Sequence, residues 1–135
     1  MAYYVDTSGL AKAIHKEPES DAFNKWMLEH DAQVYCSDLV RVELMRVAGK
    51  LGENARLQAR SILSAISLIA ISPAICDAAG LLEPSNVRSL DAIHLATALV
   101  LGDSLEGLLT YDDRMSNAAR ELGIRSFAPG LVSND

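Results

Sequence analysis

Short apolar runs alternate along this chain with longer stretches of helical periodicity. The runs are Tyr3–Val5, Val34–Ser37, Leu68–Ser72, Leu108–Tyr111 and Arg125–Phe127. Between them the spacing predicts helices over Ser8–His15, Glu19–Glu29, Leu39–Lys50, Asn54–Ser67, Ala74–Leu82, Ser89–Leu101 and Arg114–Leu122. A helix that returns the chain between successive strands makes those strands parallel, with helices covering both faces of the sheet through right-handed crossovers. Glu83-Pro84-Ser85-Asn86 reads as a loop by its breakers, and the tail after Pro129 is expected to be loose. With 135 residues, the simplest division is a single domain over residues 1–135 with a substantial core.

Composition narrows the classes. Half of the residues are apolar, which excludes a disordered chain. Aromatics make up 5%, too few for a stacking platform for single-stranded nucleic acid. The formal net charge of -6 means that any polyanion must meet a local basic patch. Cys36 and Cys76 lack the neighbours of a zinc site and read as buried free thiols of a cytosolic protein. No secretory leader or membrane span is visible, so a cytoplasmic protein with no membrane association is expected.

The acids at strand and helix ends carry the chemistry. Asp6 ends the first strand-like run, and Asp112 follows the run Leu108–Tyr111. In open parallel sheets, ligands bind beyond the carboxyl ends of the strands, which puts both on the functional edge. Glu43 and Asp91 lie in helices that start near that edge. Each has a plainer reading. Asp6, before Thr7-Ser8-Gly9, suits a helix cap. Glu43 borders the stripe Val40, Leu44, Val47 and Leu51 and could pair with Arg46 or Lys50. Asp91 gains from the dipole of its helix, but that helix is apolar nearly all round and would bury it, and a buried carboxylate needs a partner. Of Asp112 and Asp113, one caps the next helix and the other projects over the strand end, for which Asp112 is the better placed. His94, one turn beyond Asp91, reads as a hydrogen-bonded core histidine and is left unassigned.

The order and context of these motifs are more specific than any one acid. Val5-Asp6-Thr7-Ser8, then Ser37 with Glu43 after it, then Leu90-Asp91-Ala92-Ile93-His94-Leu95-Ala96-Thr97-Ala98, then Leu109-Thr110-Tyr111-Asp112 come in sequence. Together they resemble the PIN-domain ribonucleases, in particular the VapC toxins of toxin–antitoxin pairs, over nearly the whole chain. The resemblance implies a three-layer α/β/α sandwich on a short parallel sheet. It makes Asp6, Glu43, Asp91 and Asp112 an acidic metal site, with Thr7 or Ser8 and Thr110 as supporting hydroxyls and Asp113 or Asn117 as possible supplements. It also implies endonucleolytic cleavage of RNA leaving a 5′-phosphate and a 3′-hydroxyl, a homodimer, and silencing by a VapB-type antitoxin.

Physical chemistry agrees with a cation. Two carboxylates about 4 Å apart repel by roughly 4 kcal/mol at an effective dielectric near 20. Mg²⁺ or Mn²⁺ relieves that conflict, because hard cations take oxygen ligands and keep several waters. Whether one ion or two act is left open by the sequence. Lys12, Lys16, Arg41, Arg46 and Arg114 are candidate phosphate contacts, and apolar residues on Leu39–Lys50 and Asn54–Ser67 a candidate groove for an antitoxin helix. A haloacid-dehalogenase-like phosphatase would need a second Asp where Ser8 stands, and a receiver domain a phospho-accepting Asp where Ser72-Pro73 stands. A catalytically degenerate interaction module is the remaining alternative.

Overall fold

The computed structural model describes residues 1–131. Its strands are β1 (Ala2–Val5), β2 (Val34–Ser37), β3 (Ser67–Ile69), β4 (Leu105–Leu109) and β5 (Ser126–Phe127). The helices are α1 (Thr7–Leu10), α2 (Ser20–His30), α3 (Val40–Leu51), α4 (Glu53–Ala65), α5 (Pro73–Gly80), α6 (Ser89–Leu99) and α7 (Asp113–Glu121). Among the described residues the strands form one sheet in the order β3-β2-β1-β4-β5, with every pairing parallel. The expected α/β/α sandwich is therefore present.

Alternation along the strands explains the three layers. Val5 and Leu109 point to one face, where they pack with Leu10, Phe23, Val40, Leu44, Ala59 and Leu63 from α1 to α4. Tyr4 and Leu108, one residue earlier on the same strands, point to the other face and pack with Leu95, Ala98, Met115 and Ala119 from α6 and α7. Both faces of the sheet are thus covered, as an all-parallel sheet requires.

Chain order sets the position of the site. From β1 the chain builds outward through β2 to β3, then returns to place β4 on the opposite side of β1. The order reverses between β1 and β4, so a crevice opens beyond their carboxyl ends. Asp6 follows β1 there, and Asp112 lies just past β4. Because α3 leaves β2 and α6 leads back into β4, both helices have their N-termini at the same edge.

Several boundaries differ from expectation. The single helix expected over Ser8–His15 is split into α1 and a 3₁₀ turn at Ala11–Ala13. There Lys12 folds inward, its Nζ 3.3 Å from both Glu17 Oε1 and Glu19 Oε2 and 4.7 Å above the Tyr111 ring. The helix expected to reach Ser67 ends at Ala65, because Ile66 is extended and Ser67 already pairs in β3. On α3 the buried stripe is Val40, Leu44 and Ala48, and Leu51 is exposed. Cys36 is buried as expected, but Cys76 is exposed on α5. Where the tail begins, the Tyr111 hydroxyl donates to the Pro129 carbonyl at 2.7 Å, and Leu131 N–H to the Ala128 carbonyl at 3.0 Å. The rest of that tail, residues 132–135, lies outside the described residues.

Close approach of α1 to the sheet makes Gly9 indispensable. A Cβ at this position would stand 2.7 Å from Val5 Cγ1 and 2.8 Å from Leu109 Cδ2, both on fully buried side chains. Gly9→Ala should cost about 1–3 kcal/mol through overpacking. Urea denaturation checks this, and a variant as stable as the parent would show that α1 rides more loosely on the sheet.

Candidate metal centre

Asp6 is the most constrained acid. It caps α1, with Oδ1 accepting from Gly9 N–H at 3.1 Å and from the Ser8 hydroxyl at 2.6 Å. Its Oδ2 accepts from the Thr110 hydroxyl at 2.6 Å, and the residue is 4% exposed. The cap reading of Asp6 is thus correct, and it leaves the carboxylate at the strand edge between Ser8 and Thr110. Burial pushes its carboxyl above the usual range, against the bonds from Ser8 and Thr110 that favour the ionised form. The supporting hydroxyls also tie the two central strands together. Ser8 Oγ lies 3.2 Å from Thr110 Oγ1 and accepts from Tyr111 N–H at 2.9 Å.

Glu43, in the first turn of α3, pairs with neither Arg46 nor Lys50. Its Oε1 accepts from the Thr7 hydroxyl at 2.7 Å and lies 2.7 Å from His94 Nε2. Burial raises its carboxyl, but the bonds from His94 and Thr7 outweigh it and hold the group below the usual range. Thr7 and Ser8 therefore divide the work: Ser8 serves Asp6 and Thr7 serves Glu43.

Asp91 opens α6 and is half-buried at the crevice rather than enclosed among the apolar residues of its helix. Burial and then the negative charge of Asp112 raise its carboxyl. Asp112, expected to project over the strand end while its neighbour capped the helix, is itself the cap of α7, its Oδ1 accepting from Arg114 N–H at 2.9 Å, while its own N–H donates to Thr110 Oγ1 at 3.1 Å. Asp113 and Asn117 are exposed on α7. Thr110 thus touches both Asp6 and Asp112, linking the acids that follow β1 and β4.

Two residues of the site have no assigned role in the sequence reading. His94 is buried on α6 with its Nδ1 2.6 Å from the Tyr4 hydroxyl, and that hydroxyl accepts from Ser37 N–H at 3.2 Å. Tyr4 is fully buried, and burial holds its phenol well above the usual range. The expectation of a hydrogen-bonded core histidine holds, and its partners are Tyr4 and Glu43.

The donor set suits a hard divalent cation. All four acids supply carboxylate oxygens, and burial and then the charge of Asp112 raise the Asp91 carboxyl against the opposing charge of Arg114. Arg114, the nearest cation to Asp112, holds its Nε 4.0 Å from Oδ1. Among the described residues, no three Asp, Glu, His or Cys side chains are closed to metal-binding spacing.

The basic residues are less available than the sequence implies. Lys12 is buried in its ion pairs with Glu17 and Glu19, and Arg41 Nε donates to Asp38 Oδ1 at 2.8 Å. Lys16, Arg46 and Arg114 are exposed.

The PIN domain family model matches residues 3–121. Ribonuclease VapC46 of Mycobacterium tuberculosis is 44% identical over 128 residues, covering 95% of this chain and 98% of that protein. Ribonuclease VapC47 of the same organism is 35% identical, covering 96% and 98%. Among solved structures, a toxin–antitoxin complex from Klebsiella pneumoniae superimposes with a TM-score of 0.69 at 23% identity, covering 98% of this chain and 97% of that one. Nucleases of this family generally depend on a divalent metal. With the family model spanning nearly all of the sheet and helices and with such relatives aligned end to end, the chain belongs to the PIN-domain family, among the VapC ribonucleases.

Proposed function

We propose that the chain is a single PIN domain acting in the cytoplasm as a Mg²⁺-dependent endoribonuclease, the toxin of a VapBC-type pair. Mn²⁺ should substitute for Mg²⁺. The observation that carries this reading is the gathering of four carboxylates at one switch-point edge, three of them, Asp6, Glu43 and Asp112, held by hydroxyl or backbone donors and Asp91 left free to turn into the crevice. Asp6, Glu43, Asp91 and Asp112 would hold the cation, which supplies an acidified water and positive charge for the phosphoryl oxygens. The chain's own contribution is orientation. Ser8, Gly9 and Thr110 fix both oxygens of Asp6, and Thr7 and His94 fix one oxygen of Glu43. Side chains held in this way do not have to reorganise when phosphate arrives. Exposed Lys16, Arg41, Arg46 and Arg114 are the cations that could meet an RNA backbone. Growth arrest on expression, absent for Asp6→Asn, tests the toxin reading; arrest of equal strength with the variant would overturn it.

A VapB-type antitoxin also has a surface that suits it. A cleft of about 680 Å³ lies between α3, α4 and β3, where Arg41, Met45, Arg60 and Leu68 line it, and a second, more apolar one of about 350 Å³ lies between α2, α4 and the turn after α1. Leu10, Ala13, Phe23, Met27, Leu28 and Ile62 line it, and Leu28 is 82% exposed. An amphipathic helix would lay its apolar face there. Leu28→Asp should weaken antitoxin capture by about 30-fold, the scale of a hot-spot residue, and leave RNA cleavage unchanged. Calorimetric titration of the pair checks this; unaltered affinity would move the antitoxin elsewhere. The homodimer is proposed from the family resemblance alone, and sedimentation tests it.

A further inference from the structure

The buried contacts behind Glu43 form a directed chain. Ser37 N–H donates to the Tyr4 hydroxyl oxygen at 3.2 Å, and that oxygen lies 2.6 Å from His94 Nδ1. On the opposite side of the ring, His94 Nε2 lies 2.7 Å from Glu43 Oε1. A carboxylate oxygen only accepts, so the hydrogen between His94 and Glu43 belongs to Nε2. Tyr4 is fully buried, and His94 Nδ1 is the acceptor within reach of its hydroxyl proton among the described residues. Its proton therefore goes to Nδ1, which leaves that nitrogen as acceptor and fixes the Nε2–H tautomer.

The second half of the geometry concerns Glu43. Thr7 and His94 both donate to Oε1, and among the described residues no donor reaches Oε2. One oxygen is saturated by the protein while the other is left over. Glu43 is only half-buried, so Oε2 is open to a ligand from the crevice.

We infer that Tyr4 and His94 are positioning residues: Tyr4 sets the ring as an Nε2–H donor, and His94 with Thr7 pins Glu43 Oε1 so that Oε2 faces the cation. The inference rests on the metal-site reading of the four acids and adds to it how one ligand is aimed. It also explains a histidine in the buried face of α6, where an apolar residue would pack as well. Groups behind a ligand that fix its orientation typically carry about 10–100-fold of metal affinity.

The test uses Mn²⁺ alone, titrated into the full chain freed of antitoxin and followed by electron paramagnetic resonance and calorimetry. Gln at position 94 keeps a donor near the Nε2 position, whereas Asn does not reach it. His94→Asn should weaken Mn²⁺ binding about 10–100-fold, and His94→Gln should stay within about threefold of the parent. Tyr4→Phe should fall between them, and circular dichroism should show all three variants folded. Nitrogen NMR of the unsubstituted chain should find His94 protonated at Nε2 and bare at Nδ1, a result that needs no variant to fold. Equal Mn²⁺ affinity for the Asn and Gln variants, or a proton on Nδ1, overturns the inference while leaving the acids as a metal site. A parent chain that takes up no Mn²⁺ overturns the site and the inference together.

Discussion

Replacing Asp6 by Asn is expected to lower RNA cleavage by roughly 1000-fold while making the metal-free protein more stable at neutral pH. The rate follows from charge. A divalent metal contributes several kcal/mol to the transition state of phosphoryl chemistry, and each 1.36 kcal/mol is tenfold in rate. Asn keeps an oxygen for Ser8 and Gly9, and the Thr110 hydroxyl can turn to accept from the new amide, so the local fold survives. The stability gain follows from burial. Asp6 has its carboxyl raised in the folded chain, so the folded state holds the proton more tightly than the unfolded state does. That contribution is fully favourable below the unfolded value, about 3.9, and is lost as pH rises through the folded one. Asn has no such dependence. In chelator, parent and variant should differ least in acid, and the variant should lead increasingly above about pH 4. Urea midpoints across pH check the sign; a variant less stable than the parent at neutral pH would mean that the bonds to Asp6 outweigh its burial.

Leu95→Ala is the core substitution expected to cost most to both fold and site. Leu95 is fully buried and packs with Tyr4, Leu108 and Ala98, which joins α6 to the two central strands. Truncating a buried leucine typically costs about 2–5 kcal/mol. The same helix carries Asp91 and His94, so its loosening should lower cleavage even at temperatures where the variant remains folded. A loss below about 1 kcal/mol in urea would show that α6 is held chiefly by α5 rather than by the sheet.

Much of this architecture is legible in the sequence, for a reason that also explains the gaps. Strand runs such as Val34–Ser37 and helical stretches such as Ser89–Leu99 announce themselves by local pattern, and a parallel sheet follows from their alternation. What involves distant partners does not. Tyr4 looks like one more apolar strand residue until β2 and α6 bring Ser37 and His94 to its hydroxyl. Lys12 looks like a surface cation, yet Glu17 and Glu19 and the Tyr111 ring draw it inward. The need for Gly9, set by its close approach to Val5 and Leu109, is likewise a packing fact with no local signature. The four acids were legible as positions, whereas their division of labour with Thr7, Ser8 and Thr110 required the fold.

The Asp91–Asp112 pair shows why chelation is the sharpest probe. Burial and the neighbouring charge of Asp112 raise the Asp91 carboxyl, and a cation held at the proposed site would relieve that repulsion. The direct measurement is cleavage of a defined RNA by the antitoxin-free chain in Mg²⁺, in chelator, and with Asp6→Asn and Asp91→Asn. The account predicts products with a 5′-phosphate and a 3′-hydroxyl in Mg²⁺, loss of cleavage in chelator, recovery with Mn²⁺, and near-complete loss in both variants. Cleavage that persists in chelator, or that survives both substitutions, would contradict it.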